Sequence, residues 1–275
     1  MPSLPVISLL CLTLATGRLL GQAAGSGRAD YTIQSAKLGA RRSVFVVPPH
    51  DYGENQSAHP VLVLLDAEDA FQFAAAVANI AFLASRGAIR PMIVVGVPNG
   101  RNRTYDLTPR ASGRTVREQR NAGGAAAMAG FITDEVLPLV RSKYRTLPTT
   151  VLAGHSFGGL FALHVAASRP AAFTGIIAMS PALWWNESSA VVAYADSIAA
   201  VTAPLRVFAT SGGLERDIDN TTRRFAARLD SIKPPTLAFQ YKRYPNDTHA
   251  MTPASSLIDG LRFIFARRER VTSAP

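Results

Sequence analysis

A serine flanked by glycines two positions away on each side is the first place where this chain could do chemistry. Ser156 lies in the run Gly154-His155-Ser156-Phe157-Gly158. A serine hydroxyl attacks a carbonyl carbon only when a base within hydrogen-bond reach takes its proton. In chains of this composition a Gly-x-Ser-x-Gly pattern arises by chance roughly once in ten sequences, so the pattern alone proves little. Whether Ser156 is a nucleophile therefore depends on the structure around the pattern and on the base and acid available to it.

His249 is the histidine that we expect to act as the base. It follows the last predicted strand at its carboxyl end. In the class of serine hydrolases whose nucleophile occupies a sharp strand-to-helix turn, the nucleophile, acid and base follow in this order along the chain. The other four histidines are poorer candidates: two lie in an N-terminal loop, one flanks the serine and is expected to point away from it, and one lies inside a predicted helix. In that order they are His50, His59, His155 and His164.

Three carboxylates follow the predicted strand from Leu205 to Thr210, where an acid that orients His249 should lie. Glu215 is the nearest to the strand end and is the acid that we expect. Asp217 and Asp219 remain alternatives, because any of the three could instead cap a helix that begins nearby.

The turn at Ser156 also predicts where a negatively charged oxygen would be stabilised. The backbone N–H of Phe157 opens the helix after the serine, and helix N-termini favour negative charge. A second donor is expected from the loop after the third strand, Asp66-Ala67-Glu68, with the N–H of Ala67 as the best candidate.

These residues need a scaffold in which strands alternate with helices. Apolar runs and turn residues predict strands at 31–36, 43–47, 61–65, 92–97, 149–153, 175–179, 205–210 and 236–244. Helices are predicted at 70–84, 131–144, 157–168, 220–232 and 254–268, and apolar residues at helical spacing mark the one at 131–144. The stretch 101–124 is predicted to be a long loop, and the residues after strand 175–179 to be irregular. The pattern favours an α/β fold: a mostly parallel sheet with an antiparallel N-terminal edge and helices on both faces. Its ligand crevice should lie outside the carboxyl ends of the strands.

The N-terminal residues are expected to be a cleaved secretory signal, residues 1–24, followed by a single domain at 29–270. Val6 to Ala15 form an apolar run, and small residues near Ala24 suit cleavage. The run is shorter than the roughly 20 residues that a membrane span requires, so no stable span is expected after cleavage. Cys11, the one cysteine, lies inside this run. An exported protein without disulfides fits a bacterial envelope, either periplasmic or secreted.

The charge of the chain bears on its partners. The formal net charge is +10, which raises the concentration of anions near the surface. The arginines are scattered and form no basic helix or aromatic-flanked patch, so nucleic-acid binding is not expected. A small anionic substrate or an anionic envelope surface would suit the charge. No metal or organic cofactor is required by the predicted chemistry.

With these residues identified, the chain resembles the "Putative esterase" family of α/β-hydrolases, which includes enterochelin and salmochelin esterases and, more distantly, S-formylglutathione hydrolases. The resemblance covers most of the chain after the predicted signal. It depends on Leu64-Leu65-Asp66 before Phe71, Arg103-Thr104-Tyr105-Asp106-Leu107-Thr108-Pro109, Tyr144-Arg145-Thr146, Gly154-His155-Ser156-Phe157-Gly158-Gly159-Leu160, Ser180-Pro181-Ala182-Leu183-Trp184-Trp185 and Gly213-Leu214-Glu215.

The resemblance implies an α/β-hydrolase fold and carboxylic-ester hydrolysis by Ser156 and His249, with Glu215 at the family's usual acid position, although some siderophore esterases work with a Ser-His pair. It also implies that Arg103 contacts the substrate. Trp184 and Trp185 follow the sixth strand, where they could line the cleft or serve as packing anchors. The chain departs from the family at Ala67, where glycine is common.

The expected function is that of an exported serine esterase acting through an acyl-enzyme on a small-molecule ester, with a siderophore-type ester favoured. A general short-chain or sugar-acyl esterase is the first alternative. An acyltransferase of the same fold is the second. A non-enzymatic binding protein with a vestigial triad is the third.

Overall fold

The computed structural model describes residues 27–112 and 121–266. The predicted signal at 1–24, Cys11, and the last residues of the predicted domain and of its final helix lie outside this part of the chain.

One sheet of eight strands forms the centre of the described residues. Its order across the sheet is β1-β2-β4-β3-β5-β6-β7-β8, with β1–β2 and β2–β4 antiparallel and every other pair parallel. The strands are β1 Ala29–Ser35, β2 Ala40–Val47, β3 His59–Leu65, β4 Ile93–Val97, β5 Thr146–His155, β6 Gly175–Met179, β7 Leu205–Gly212 and β8 Leu237–Tyr244. The predicted fold class is confirmed, including the antiparallel N-terminal edge.

Helices cover both faces of this sheet. In chain order they are α1 Ala70–Ser85, α2 Arg103–Leu107, α3, α4 Phe157–Ser168, α5 Ser189–Ala199, α6 Arg216–Ile232 and α7 Thr252–Phe265. Helix α3 runs through three consecutive segments, Ala125–Gly130, the π-helical Phe131–Val136 and Leu137–Lys143.

The central strands are buried on both faces, as their unbroken apolar runs predict. Every residue of β3, β4 and β6 is buried. One apolar core lies between the sheet and helices α3 to α6, and a second lies beneath α1 and α7. Burial of these runs holds the strand ends in register, and the loops that carry the candidate residues leave from the carboxyl ends of β3, β5, β7 and β8.

Three helical features differ from the expectation. The stretch predicted as one long loop contains α2, whose first turn is capped when the side chain of Asn102 accepts from Tyr105 N. The stretch after β6 was predicted to be irregular but contains α5. Helix α6 begins at Arg216, directly after Glu215, rather than near Asn220. Among the described helices, none combines the length and the apolar composition that crossing a membrane requires.

Candidate active site

Ser156 occupies the sharp turn between β5 and α4 that the sequence predicts. Its backbone has φ 61° and ψ −115°, a sparsely populated region for a residue with a side chain. The turn is fixed from both sides, because Ser156 N donates to Met179 O at 2.9 Å and Ser156 O accepts from Ala182 N at 3.0 Å. A Cβ at Gly154 would collide with the backbone of Gly158. The requirement for small neighbours is therefore confirmed at Gly154.

His249 and Glu215 meet at the same edge of the sheet. Nδ1 of His249 lies 2.5 Å from Oε1 of Glu215. The imidazole is 41% exposed, whereas the carboxylate is only 2% exposed. Because Nδ1 faces the carboxylate, Nε2 is the nitrogen left to exchange a proton with a reacting group.

The carboxylate of Glu215 is held from three directions. Its Oε2 accepts from Gly212 N at 2.5 Å and from Ser180 Oγ at 2.9 Å, and Thr252 Oγ1 lies 2.9 Å from the same Ser180 Oγ. Burial alone would raise the pKa of Glu215, but the hydrogen bonds from His249, Gly212 and Ser180 outweigh it and lower the pKa. The group is therefore a fixed, ionised acceptor at neutral pH.

The two alternative acids lie elsewhere. Asp217 is exposed in the first turn of α6. Asp219 is buried in a separate network: Arg243 Nε lies 3.1 Å from its Oδ2, and Ser211 Oγ donates to its Oδ1 at 2.8 Å. Among the described residues, Glu215 is the carboxylate that contacts His249.

His155 contributes a contact that sequence reasoning missed. Its ring lies against the ring of His249, with centroids 4.3 Å apart and planes inclined by 37°. Burial, followed by the neighbouring His249, lowers the pKa of His155 from 6.5 to about 4. The ring is therefore neutral at neutral pH. No pattern near residue 155 indicates this contact, because His249 arrives from a loop 94 residues further along the chain.

The candidate oxyanion donors lie on two different elements. Phe157 begins α4, and Ala67 is buried in the loop after β3. No acceptor for either backbone N–H is found in the part of the chain that the structure describes. Amides without an acceptor in the described chain are what the predicted oxyanion donors require.

The three predicted substrate contacts have different surroundings. Arg103 makes an ion pair with Asp66, with Nε 2.6 Å from Oδ1, and its side chain is 36% exposed. Trp184 is 40% exposed and its ring lies 5.7 Å from that of Phe157. Trp185 is fully buried, which corrects the expectation that it contacts a substrate: it is a packing anchor of the apolar core.

Potential metal ligands also converge here. One ligand atom each from His155, Glu215 and His249 lie within 4.8 Å of one another. Nδ1 of His249 and Oε1 of Glu215 are already bound to each other, and the rings of His249 and His155 pack against each other at a 37° tilt. This arrangement suits proton transfer better than coordination of an ion.

Known proteins resemble this chain in sequence and in fold. Residues 35–251 match the "Putative esterase" family. The chain is 35% identical over 136 residues to the siderophore triacetylfusarinine C esterase of Aspergillus fumigatus, a match that covers 46% of this chain and 45% of that protein. It is 25% identical over 229 residues to the ferri-bacillibactin esterase BesA of Bacillus subtilis, which covers 75% of this chain and 79% of that protein.

A solved structure is similar over most of the chain. The IroE-like serine hydrolase from Shewanella oneidensis superposes with a TM-score of 0.79 at 27% sequence identity, covering 87% of this chain and 80% of that one. In contrast, the chain matches less than half the length of the Aspergillus relative.

Proposed function

Because the chain belongs to the "Putative esterase" family, we propose that it hydrolyses carboxylic esters, with Ser156 as nucleophile, His249 as general base and Glu215 as orienting acid. The observation that carries the proposal is the 2.5 Å contact between His249 Nδ1 and Glu215 Oε1, at the sheet edge where Ser156 occupies its strained turn. The strand order and the order of the three residues along the chain agree with it.

The proposed reaction has two halves. Nε2 of His249 takes the proton of Ser156 while the serine oxygen bonds to the ester carbonyl carbon, and the backbone N–H groups of Phe157 and Ala67 stabilise the negative oxygen. The imidazolium then returns its proton to the departing alcohol, leaving an acyl group on Ser156. A water molecule, deprotonated by His249, releases the acid and restores the serine.

Glu215 supports both halves without changing its own protonation state. Accepting the Nδ1–H of His249 keeps Nε2 unprotonated before attack and stabilises the imidazolium afterwards. Its hydrogen bonds to Gly212 N and Ser180 Oγ hold the carboxylate in the orientation that this role needs.

The test of the nucleophile is the replacement Ser156→Ala. We expect kcat for a short p-nitrophenyl ester to fall by about a thousandfold or more. The matched control is Ser168→Ala, which removes an exposed hydroxyl from the last residue of α4 and should retain wild-type turnover. Wild-type turnover in Ser156→Ala would reject the assignment.

For the substrate we propose a siderophore-type ester. The Aspergillus relative is named as a siderophore esterase and the Bacillus relative as a ferri-bacillibactin esterase. The net charge of +10 would attract an anionic chelate. We expect kcat/KM for a catecholate trilactone to exceed that for simple acyl esters and to fall as salt is added. A preference for simple acyl esters, with rates insensitive to salt, would favour a general esterase instead.

The proposal also includes export to the periplasm or the medium, based on the apolar run from Val6 to Ala15 and the small residues near Ala24. The intact mass of the protein recovered outside the cytoplasm should lack about the first 24 residues. Recovery of the full-length chain from the cytoplasm alone would contradict this part of the proposal.

A further inference from the structure

Arg103 connects the two segments that carry the candidate oxyanion donors. Its guanidinium makes a two-point ion pair with Asp66, Nε to Oδ1 at 2.6 Å and Nη2 to Oδ2 at 2.8 Å. Nη2 also donates to the carbonyl oxygen of His155 at 3.2 Å. Asp66 directly precedes Ala67, and His155 directly precedes Ser156. One side chain on α2 thus contacts both the loop after β3 and the serine turn.

The loop after β3 has a conformation that needs such support. Asp66 has φ +59°, a left-handed conformation that is uncommon for a residue other than glycine. The side-chain amide of Asn99 donates to Asp66 Oδ1 at 2.6 Å and to Glu68 Oε1 at 2.7 Å. Asn99, just after β4, therefore binds the residues on both sides of Ala67. Arg103 links the first of these, Asp66, to the serine turn.

We propose that Arg103 is a positioning residue that fixes the relative placement of the Ala67 and Phe157 N–H groups through Asp66 and the His155 carbonyl. This inference rests on the proposed esterase function. Two donors on separate elements stabilise an oxyanion only if their spacing is set before the reaction, since each must lie about 2.7–3.1 Å from the developing charge. Within the part of the chain that the structure describes, no hydrogen bond joins residues 66–68 directly to residues 154–158, and the guanidinium of Arg103 bridges them.

The positioning role differs from the substrate contact that the family resemblance implies. Three of the five guanidinium N–H donors of Arg103 are used within the protein. The planar fork is matched by both oxygens of Asp66, an arrangement that fixes orientation as well as charge. A residue committed in this way should affect the transition state for every ester. A substrate contact should affect the binding of anionic esters only.

The experiment compares the full-length wild type with Arg103→Met, Asp66→Asn and the double variant. Each is assayed on a neutral p-nitrophenyl ester and on an anionic ester, and each is titrated with a trifluoromethyl ketone, which forms an oxyanion adduct with a serine nucleophile. We expect kcat on both esters to fall about ten- to a hundredfold with little change in KM, and affinity for the ketone to fall by a similar factor. The double variant should be no worse than the poorer single variant, because the two residues act as one unit.

Two control variants separate loss of positioning from loss of charge and from misfolding. Arg101→Met removes the same charge from an exposed position two residues away and should keep wild-type kinetics. Arg103→Lys retains the charge but loses the planar guanidinium that pairs with both oxygens of Asp66. Its kcat should still fall, and it serves as the test if Arg103→Met does not fold.

A raised KM confined to the anionic ester, with unchanged kcat on the neutral one, would overturn the positioning role, as would wild-type kcat in Asp66→Asn. If the wild type itself is folded but neither turns over esters nor forms the ketone adduct, the proposed function fails and this inference fails with it. If the wild type is active and the variants match it, only the positioning role fails.

Discussion

At the scale of single residues, Glu215 is a buried carboxylate whose oxygens are satisfied by three hydrogen-bond donors. A carboxylate that is almost fully buried is costly unless it is paired and hydrogen-bonded. Here a backbone amide, the Ser180 hydroxyl and His249 satisfy it. The same contacts that make its burial tolerable fix the orientation of His249.

Replacing this carboxylate by its amide tests the role of orienting acid. In Glu215→Gln the amide cannot stabilise an imidazolium, and it can donate to Nδ1 and so favour the wrong tautomer. We expect kcat on a p-nitrophenyl ester to fall about a hundred- to ten-thousandfold. Asp217→Asn is the matched control, since Asp217 is an exposed carboxylate two residues away, and it should keep wild-type kcat. Activity close to wild type in Glu215→Gln would indicate a Ser-His pair that works without this acid.

His155 predicts a pH dependence of stability. Its folded pKa of about 4 lies below its ordinary value of 6.5. Between pH 6.5 and pH 4, His155 is therefore protonated in the unfolded chain but neutral in the folded protein. The free energy of unfolding therefore falls as the pH drops through this range. In His155→Gln the free energy of unfolding should fall less steeply with decreasing pH than in the wild type, and the two slopes should differ by up to about 1.4 kcal/mol per pH unit.

Urea unfolding of both proteins at several pH values measures this difference. The two stability curves should run parallel above about pH 7.5 and diverge towards about pH 4.5. Curves that stay parallel over the whole range would show that His155 titrates alike in the folded and unfolded chain.

The candidate residues differ in how far the sequence could predict them. Ser156, Glu215 and His249 could be chosen because each follows a strand at its carboxyl end, and the structure brings Glu215 and His249 into contact. The contact of His155 could not be predicted, because it depends on how a distant loop folds over the sheet. The buried state of Trp185 could not be predicted either, since neighbouring tryptophans in a loop give no signal of which one turns inward.

At the scale of elements, the strand–turn–helix unit of β5 and α4 is the part on which the proposed chemistry depends. Gly154 approaches the backbone of Gly158 so closely that no side chain fits between them. The turn also depends on hydrogen bonds to Met179, the last residue of β6, and to Ala182 just after it. The geometry of Ser156 is therefore set by packing between two elements, and not by the serine alone.

A methyl group added at Gly154 should therefore displace Ser156. In Gly154→Ala we expect the free energy of unfolding to fall by about 1–3 kcal/mol, the usual cost of overpacking, and kcat to fall at least about tenfold because the serine is displaced. Chemical denaturation and ester turnover on the same preparation give both quantities. Gly27→Ala is the control, since a Cβ at that position meets nothing within 4 Å. Unchanged stability and turnover in Gly154→Ala would contradict the close approach.

Elements were predictable where a long apolar run or helical spacing marks them. The apolar runs of β3, β4 and β6, the segment of α1 and the position of α4 directly after the serine turn give the right elements, with ends that agree within about two residues. Helix α5 is missed because small residues dominate its segment, although Val191, Ala195 and Ile198, which the fold buries, recur at helical spacing. Helix α2 was missed because five residues are too few for a period to be visible.

At the scale of the whole molecule, the sheet order explains why residues so far apart in sequence form one site. The loops after β3, β5, β7 and β8 leave from the carboxyl ends of parallel strands, so the candidate oxyanion loop, nucleophile, acid and base lie at one end of the sheet. The alternation of strands and helices allowed this arrangement to be predicted. The side-chain contacts within it follow from the packing of the finished fold.

The central claim is that Ser156 is a nucleophile activated by this arrangement, and covalent labelling tests it most directly. The full-length wild type and Ser156→Ala are incubated with a fluorophosphonate probe, and their intact masses are measured. The account predicts one adduct per chain on the wild type and none on Ser156→Ala. A folded wild type that remains unlabelled, or equal labelling of Ser156→Ala, would contradict it.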